Sequence, residues 1–190
     1  LIFGLLALFV KGHEAIRAAK RGIAEIRLNL SWYLFDAICI SPFVVTAVAA
    51  ISLGAHELSL QIVTQDLWST PGKAFTFFAA VFLGDLFSYW RHRLEHTPWL
   101  WPAHAIHHSD TQMTWLTLSR FHPVNRIVTS CVDTLLLAML GLPLWALAAN
   151  NVFRHFYGEF IHADLPWTYG RLGSIFVSPA MHQWHHARDV

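Results

Sequence analysis

A chain of 190 residues that is 55% hydrophobic and only 13% charged does not have the composition of an ordinary soluble domain, in which about a quarter of the residues carry charge. The formal net charge of +1 gives no ground for a nucleic-acid partner, and the length allows one domain, 1–190. Composition leaves one feature unexplained: thirteen histidines, as many as Lys and Arg together.

In chain order, Leu1–Val10 is apolar but shorter than the ~20 residues a bilayer requires. It lacks the charged n-region and cleavage site of a signal peptide, and reads as the tail of a truncated helix. The chain also stops four residues after a histidine cluster, so truncation is expected at both ends. Lys11–Leu30 is basic and polar. Tyr33–Leu53 is 21 residues long with one acid, Asp36, and is the first complete spanning candidate. Gly54–Gly72 is a mixed loop punctuated by Pro71 and Gly72. Lys73–Trp90 is a second, shorter spanning candidate with Asp85 near its end. Arg91–Asn125 is polar and rich in histidine. Arg126–Ala149 is apolar, broken by Gly141-Leu142-Pro143, and Asn150–Val190 is amphipathic and again rich in histidine. Cys39 and Cys131 lie in apolar runs and are expected as buried thiols rather than a disulfide.

Basic residues give the orientation. Segment 11–31 holds five Lys/Arg, the loop 54–73 one, 91–126 four and 150–190 three. The positive-inside bias puts the first, third and fourth in the cytoplasm. A single crossing through 127–149 would separate the last histidines from the others. A re-entrant helical hairpin turning at Gly141–Pro143, with arms 127–140 and 144–162, removes the conflict; its freed backbone groups need protein or water partners. Most tryptophans, among them Trp32, Trp90, Trp99 and Trp167, lie near span ends or in surface segments, as an interfacial indole should. Only Trp145 falls inside an apolar arm.

Three histidine clusters carry the chemistry: His92 and His96; His104, His107 and His108; His182, His185 and His186. Residues at i, i+3 and i+4 of a helix share a face, so each cluster is expected to aim its imidazoles at a common point. Eight imidazoles together repel one another when protonated and waste hydrogen-bonding capacity when neutral and buried. Imidazole is a good ligand for Fe, Zn, Cu and Ni, and one structural zinc takes about four ligands. Two ions are therefore the economical reading. His162 joins the candidate ligands and His155 is a weaker one. His122, in Arg120-Phe121-His122-Pro123, reads as a loop anchor, and His13 and His56 as surface residues. Asp85, seven residues before His92, is expected as an acceptor for a ligand imidazole, with Arg91, Arg93 or a backbone group as its alternative partner.

The order HxxxH, HxxHH and a distant HxxHH, set among membrane spans, resembles the sterol desaturase / fatty acid hydroxylase superfamily. The residues that carry the likeness are Asp85, Tyr89-Trp90-Arg91-His92-Arg93, His96, Trp101, His104-Ala105-Ile106-His107-His108, Arg120-Phe121-His122-Pro123, Phe160-Ile161-His162-Ala163-Asp164 and Pro179-Ala180-Met181-His182-Gln183-Trp184-His185-His186. They cover about residues 80–190. The family's usual Gly- and Trp-Asp-containing segment after the last cluster is not in this chain.

The resemblance implies an all-α, multi-pass membrane helical bundle with a histidine-rich metal site on its cytoplasmic face. It implies two non-haem iron ions, O₂ as co-substrate, and oxidation of a C–H bond in a membrane lipid such as a sterol or fatty acyl chain, by hydroxylation rather than desaturation. Electrons would come from a separate reductase or cytochrome. Short loops point to a bacterial inner membrane, with the ER membrane as the eukaryotic counterpart.

Three rivals fit less well. A di-histidine haem protein would place single histidines on separate spans at membrane depth. A zinc protease would show HExxH, whereas Arg93 follows His92. A metal-binding or metal-transport protein without redox catalysis would need polar ligands along its spans, where only Asp36, Asp85 and Asp133 are available.

Overall fold

A computed structural model describes residues 2–187. Among them there are helices and loops and no strand. Helix α1 is Ile2–Lys11. Gly12, at φ +56°, separates it from α2, His13–Arg21, a strongly amphipathic helix. Glu14 in the first turn of α2 and Lys20 and Arg21 in its last complement the helix dipole. After Gly22 comes α3, Ile23–Phe35, which runs through a π-helical turn at Asp36–Ile40 into α4, Ser41–Glu57.

Pro42 accounts for the π turn. It lacks the N–H that an α-helix requires and its ring crowds the preceding turn, so the backbone widens just before it. Ser41 Oγ donates to Asp36 Oδ2 at 2.8 Å across the widened turn. The combined stretch Ile23–Glu57, 35 residues, is the one helix among the described residues that is both long and apolar enough to cross a membrane. It is longer at both ends than the expected span Tyr33–Leu53, because the polar stretch before it and the start of the expected loop after it are helical too.

The remaining helices are α5 (Asp66–Ser69), α6 (Lys73–Glu95), α7 (Trp101–His104), α8 (Pro123–Met139), α9 (Leu144–His162) and α10 (Pro179–His186), with 3₁₀ turns at His107–Ser109, Trp115–Ser119 and Gly170–Ser174. Helix α6 continues past Trp90, so the first histidine pair rides on its last turns. The break expected at Gly141–Pro143 is where α8 ends and α9 begins. Cys39 is exposed and Cys131 half-buried, both free. The expectation of buried thiols is corrected; Cys39 lies on Ile23–Glu57, an apolar helix with little of its surface covered.

The chain forms two compact units. One comprises Leu1–Phe35, Ala105–Phe121 and Phe156–Val190, the other Asp36–His104 and His122–His155. In the first unit, Gly22 lets the start of α3 approach Gln112, whose Cβ would lie 3.0 Å from a Cβ added there. In the second, α4, α6, α8 and the beginning of α9 surround a core of Ala55, Ala80, Leu137, Ala138, Leu142, Ala146 and Leu147, against which Trp68, Leu83 and Phe87 pack. Small residues in this core let the helix backbones approach closely.

The end of α8 is held by the segment before α6. Ile62 N–H donates to the Met139 carbonyl at 2.7 Å and Trp68 Nε1–H to the Leu140 carbonyl at 2.7 Å, which supplies two of the carbonyls that a helix end leaves open. Gly141 sits at φ +70°, and a Cβ there would lie 2.0 Å from the Val63 carbonyl oxygen. Gly141→Ala should therefore lower stability by about 2–4 kcal/mol, strain and a backbone clash together. Gly170→Ala, also left-handed at φ +53° but in open space, should cost about 1 kcal/mol. Thermal unfolding of the two variants in one detergent checks this; equal losses would mean that Val63 does not constrain the break.

Candidate metal centre

The second unit gathers three of the histidines. The last turns of α6 set His92 and His96 one turn apart, their ring centroids 4.9 Å from each other, and α7 brings His104 to 4.7 Å and 5.0 Å from them. Each of the three offers a nitrogen within 4.8 Å of the other two. Behind them lies Glu95, 5% exposed, 3.4 Å from His92 Nδ1 and 3.6 Å from His104 Nδ1. Arg91 donates to both Glu95 oxygens at 2.9 Å, and Asn125 Nδ2 to one of them at 3.1 Å. Arg91 also pairs with Asp133 at 2.8 Å, and Ser88 Oγ donates to Asp133 at 2.7 Å.

Burial alone would raise the Glu95 carboxyl. The hydrogen bond from His92 and the nearby charges, Arg91 first, outweigh it and hold the group below the usual carboxylate value. Burial, and then the neighbouring His92, lower His96, which favours the neutral form that ligates metal. A carboxylate facing the Nδ1 side of an imidazole fixes its tautomer and leaves Nε2 for an ion.

The first unit gathers four more: His107, His162, His182 and His186, all buried. His107 sits on the 3₁₀ turn after α7 and stacks on Phe121, with centroids 4.5 Å apart and planes 9° apart. His162 is the last residue of α9, and its Nδ1 lies 2.6 Å from the Gly158 carbonyl. Its Nδ1–H therefore donates one turn back along the helix, and Nε2 carries the lone pair. His182 and His186 are i and i+4 on α10. That helix starts with Ser178, whose side chain accepts from Met181 N–H, followed by Pro179 at the first position, a favourable start for a short helix. Gln183 Nε2 donates to the Ala163 carbonyl at 3.3 Å and tethers α10 to the chain beyond α9.

The nitrogens converge. His162 Nε2 lies 3.1 Å from His107 Nε2 and 3.0 Å from His182 Nε2, and His182 Nε2 lies 3.2 Å from His186 Nε2. One in-plane lone pair on His162 cannot accept well from two neighbours at once. Nitrogen ligands about 2.1 Å from a common ion lie about 3.0 Å apart at right angles and about 3.4 Å apart at tetrahedral angles. The spacing is that of a metal-ligand set, and the donor chemistry suits a transition metal.

Beside this group, His108 stacks on His186 at 4.1 Å and 14°, with His185 4.8 Å away. A second polar network braces the turn that carries His107. Asp110 accepts from Asn29 Nδ2 at 2.7 Å, Thr117 Oγ1 at 2.6 Å and Gln112 N–H at 2.9 Å. Arg120 Nε donates to Asn29 Oδ1 at 2.7 Å and its guanidinium pairs with Glu25.

The sequence clusters do not each form one site. His104 stands with His92 and His96, while His107 stands with His162, His182 and His186. The rule of helical faces fails between His104 and His107 because α7 ends at His104 and the next residues turn before the 3₁₀ segment. His185 is exposed and outside both groups, as is His155.

His122 caps α8, its Nδ1 accepting from Val124 N–H at 3.2 Å, as a loop anchor should; His13 and His56 are exposed. Asp85 has a cation as its partner in the second unit. It pairs with Arg154 of α9 at 3.0 Å, a partner other than those expected for it. The acceptor for imidazole is Glu95, overlooked because it lies inside the HxxxH pair, where an acid reads as a solvated helix residue. Asp110, Asn29 and Glu25 were also overlooked. An acid two residues after His108 and an Asn amid apolar residues of α3 were the available signals.

Comparison with known proteins agrees with this geometry. The family model described as fatty acid hydroxylase matches residues 77–190, which include every candidate ligand. The chain is 28% identical over 148 residues to the ornithine lipid hydroxylase OlsE of Rhizobium tropici, covering 77% of this chain and 43% of that protein. It is 26% identical over 123 residues to the alkylglycerol monooxygenase of Caenorhabditis elegans, 64% of this chain and 23% of that one. A very-long-chain aldehyde decarbonylase, GL1-8, of Oryza sativa subsp. indica is 27% identical over 107 residues, 55% and 40% respectively. The chain thus spans less than half the length of these relatives, and no solved structure matches it. By the match of its histidine-bearing region, more than half its length, the chain belongs to the fatty acid hydroxylase family.

Proposed function

We propose that this chain carries the metal centre of an O₂-dependent oxidoreductase that hydroxylates a C–H bond of a membrane lipid. The observation that carries the reading is the convergence of four buried imidazoles at Nε2 separations of 3.0–3.2 Å. Family membership supports the reaction class, and two of the relatives are by name a lipid hydroxylase and a monooxygenase.

Two iron ions are assigned, one to His107, His162, His182 and His186, the other to His92, His96 and His104, with His108 and His185 as the remaining candidate ligands. Iron supplies the change of redox state that the reduction of O₂ and oxidation of an unactivated C–H bond require. Glu95 and the Gly158 carbonyl hold the ligand tautomers, and Phe121 keeps the His107 ring in place.

The reaction consumes O₂, two electrons and two protons and yields an alcohol and water, so an external reductase or cytochrome is required as donor. Ile23–Glu57 crosses the bilayer; at about 1.5 Å per residue it is ~52 Å long, more than a ~30 Å hydrocarbon core needs. The Lys73–Trp90 part of α6 and the α8–α9 hairpin are further membrane elements, and the histidines face the cytoplasm of a bacterial inner membrane, following the Lys/Arg distribution.

Purified under iron-replete conditions, the chain should hold about two ions, and His107→Ala should lose about one of them. Metal analysis showing unchanged content would remove the ligand assignment. Glu95→Gln should weaken the ion at His92, His96 and His104 about 10–100-fold and leave the other in place, read by titration with a chelator; equal loss of both ions would mean Glu95 acts on the fold as a whole. In ¹⁸O₂ with a reductase, the lipid product should carry one labelled oxygen. A product without label and short of two hydrogens would mean desaturation. Turnover without oxygen, or with zinc alone, would overturn both.

A further inference from the structure

The first unit contains a cavity of about 540 Å³ that the metal ligands alone do not explain. One of its walls is made of Gly4, Ala7, Ala15, Ala18, Ala19 and Gly22. Gly4 and Ala7 are i and i+3 on α1; Ala15, Ala18, Ala19 and Gly22 follow helical spacing along α2 and its end, so each set shares a face. Met113, Trp115, Leu116, Gln183 and His186, a candidate ligand, also line it.

The acids on its lining are already engaged. Asp110 accepts three hydrogen bonds, and Asp164 pairs with Lys11 at 2.6 Å. An occupant therefore meets chiefly methyl, methylene and aromatic surface, in a space of the size that small-molecule sites have, with the candidate ligand His186 in its lining.

We propose that this cavity takes the hydrocarbon chain of the lipid substrate and that the small residues of α1 and α2 set its bore, so that Ala7, Ala15 and Ala18 select for chain length. This rests on the oxidation proposed above and adds where the substrate lies. The wall is small for a reason of space: a Cβ at Gly22 would already come within 3.0 Å of Gln112 Cβ. Ala7, Ala15 and Ala18 are half-buried, so larger side chains there have the cavity as the room to enter. A leucine adds three carbons, and each methylene in an apolar site is worth about 10-fold or more in discrimination.

The test uses the full chain in nanodiscs of phosphatidylcholine, with a phosphatidylcholine bearing a diazirine at the end of one acyl chain as probe. Photolysis should label the peptide spanning 110–116, and Ala18→Leu should reduce that label about tenfold or more with metal content unchanged. The same variant should oxidise a lipid shorter by several methylenes nearly as well as the unsubstituted chain, and the longer lipid about tenfold less well or worse. If Ala18→Leu loses its metal, Ala7→Leu on the other helix is read in its place. Labelling of the unsubstituted chain only outside the cavity overturns the proposal, and so does labelling at 110–116 that the variants do not change. Labelling at 110–116 without any oxidised lipid keeps the cavity assignment and fails the oxidation reading instead, which separates the two.

Discussion

Imidazoles that turn their lone pairs toward one point gain nothing from each other, so the protein must hold them from behind. That requirement organises both units. In one, His162 is fixed by the carbonyl one turn back at Gly158, and His107 lies flat on Phe121. In the other, His92 and His104 face the Glu95 carboxylate. For His92, His104 and His162 that contact lies on the Nδ1 side of the ring, and the helices and turns around them place it.

The two supporting networks have the same composition. Arg91 lies between Glu95 and Asp133, and Arg120 is linked to Glu25 and, through Asn29, to Asp110. Each network therefore holds two carboxylates against one guanidinium. Asp85 with Arg154 is different in kind: it is a pair between α6 and α9, more exposed, and at such exposure worth little to stability.

Helix interruptions do comparable work for the backbone. Pro42 forces the π turn at Asp36–Ile40, and Gly141 ends α8 where the Val63 carbonyl leaves no room for a Cβ. Beside that close approach, Ile62 and Trp68 donate to the carbonyls at the end of α8. The apolar positions form a core of mostly alanine and leucine, whose packing allows the close helix spacing on which these polar contacts depend.

Much was legible from residue type and spacing alone: the helical class, the break at Gly141–Pro143, the first long apolar helix, the histidine clusters and the family they resemble. Those features rest on local chemistry, namely the missing donor of proline, the left-handed freedom of glycine, and the rarity of clustered imidazoles. Which histidine stands with which was not legible. His104 and His107 are three apart, yet the turn between them sends them to different groups, and His162 joins His107 from 55 residues away. Glu95, Asp110 and Asn29 likewise look like surface or helix-filling residues until distant segments bury them. Periodicity describes one element at a time, whereas the groups of histidines and their supports are made by elements far apart in the chain, so only the tertiary structure could bring them together.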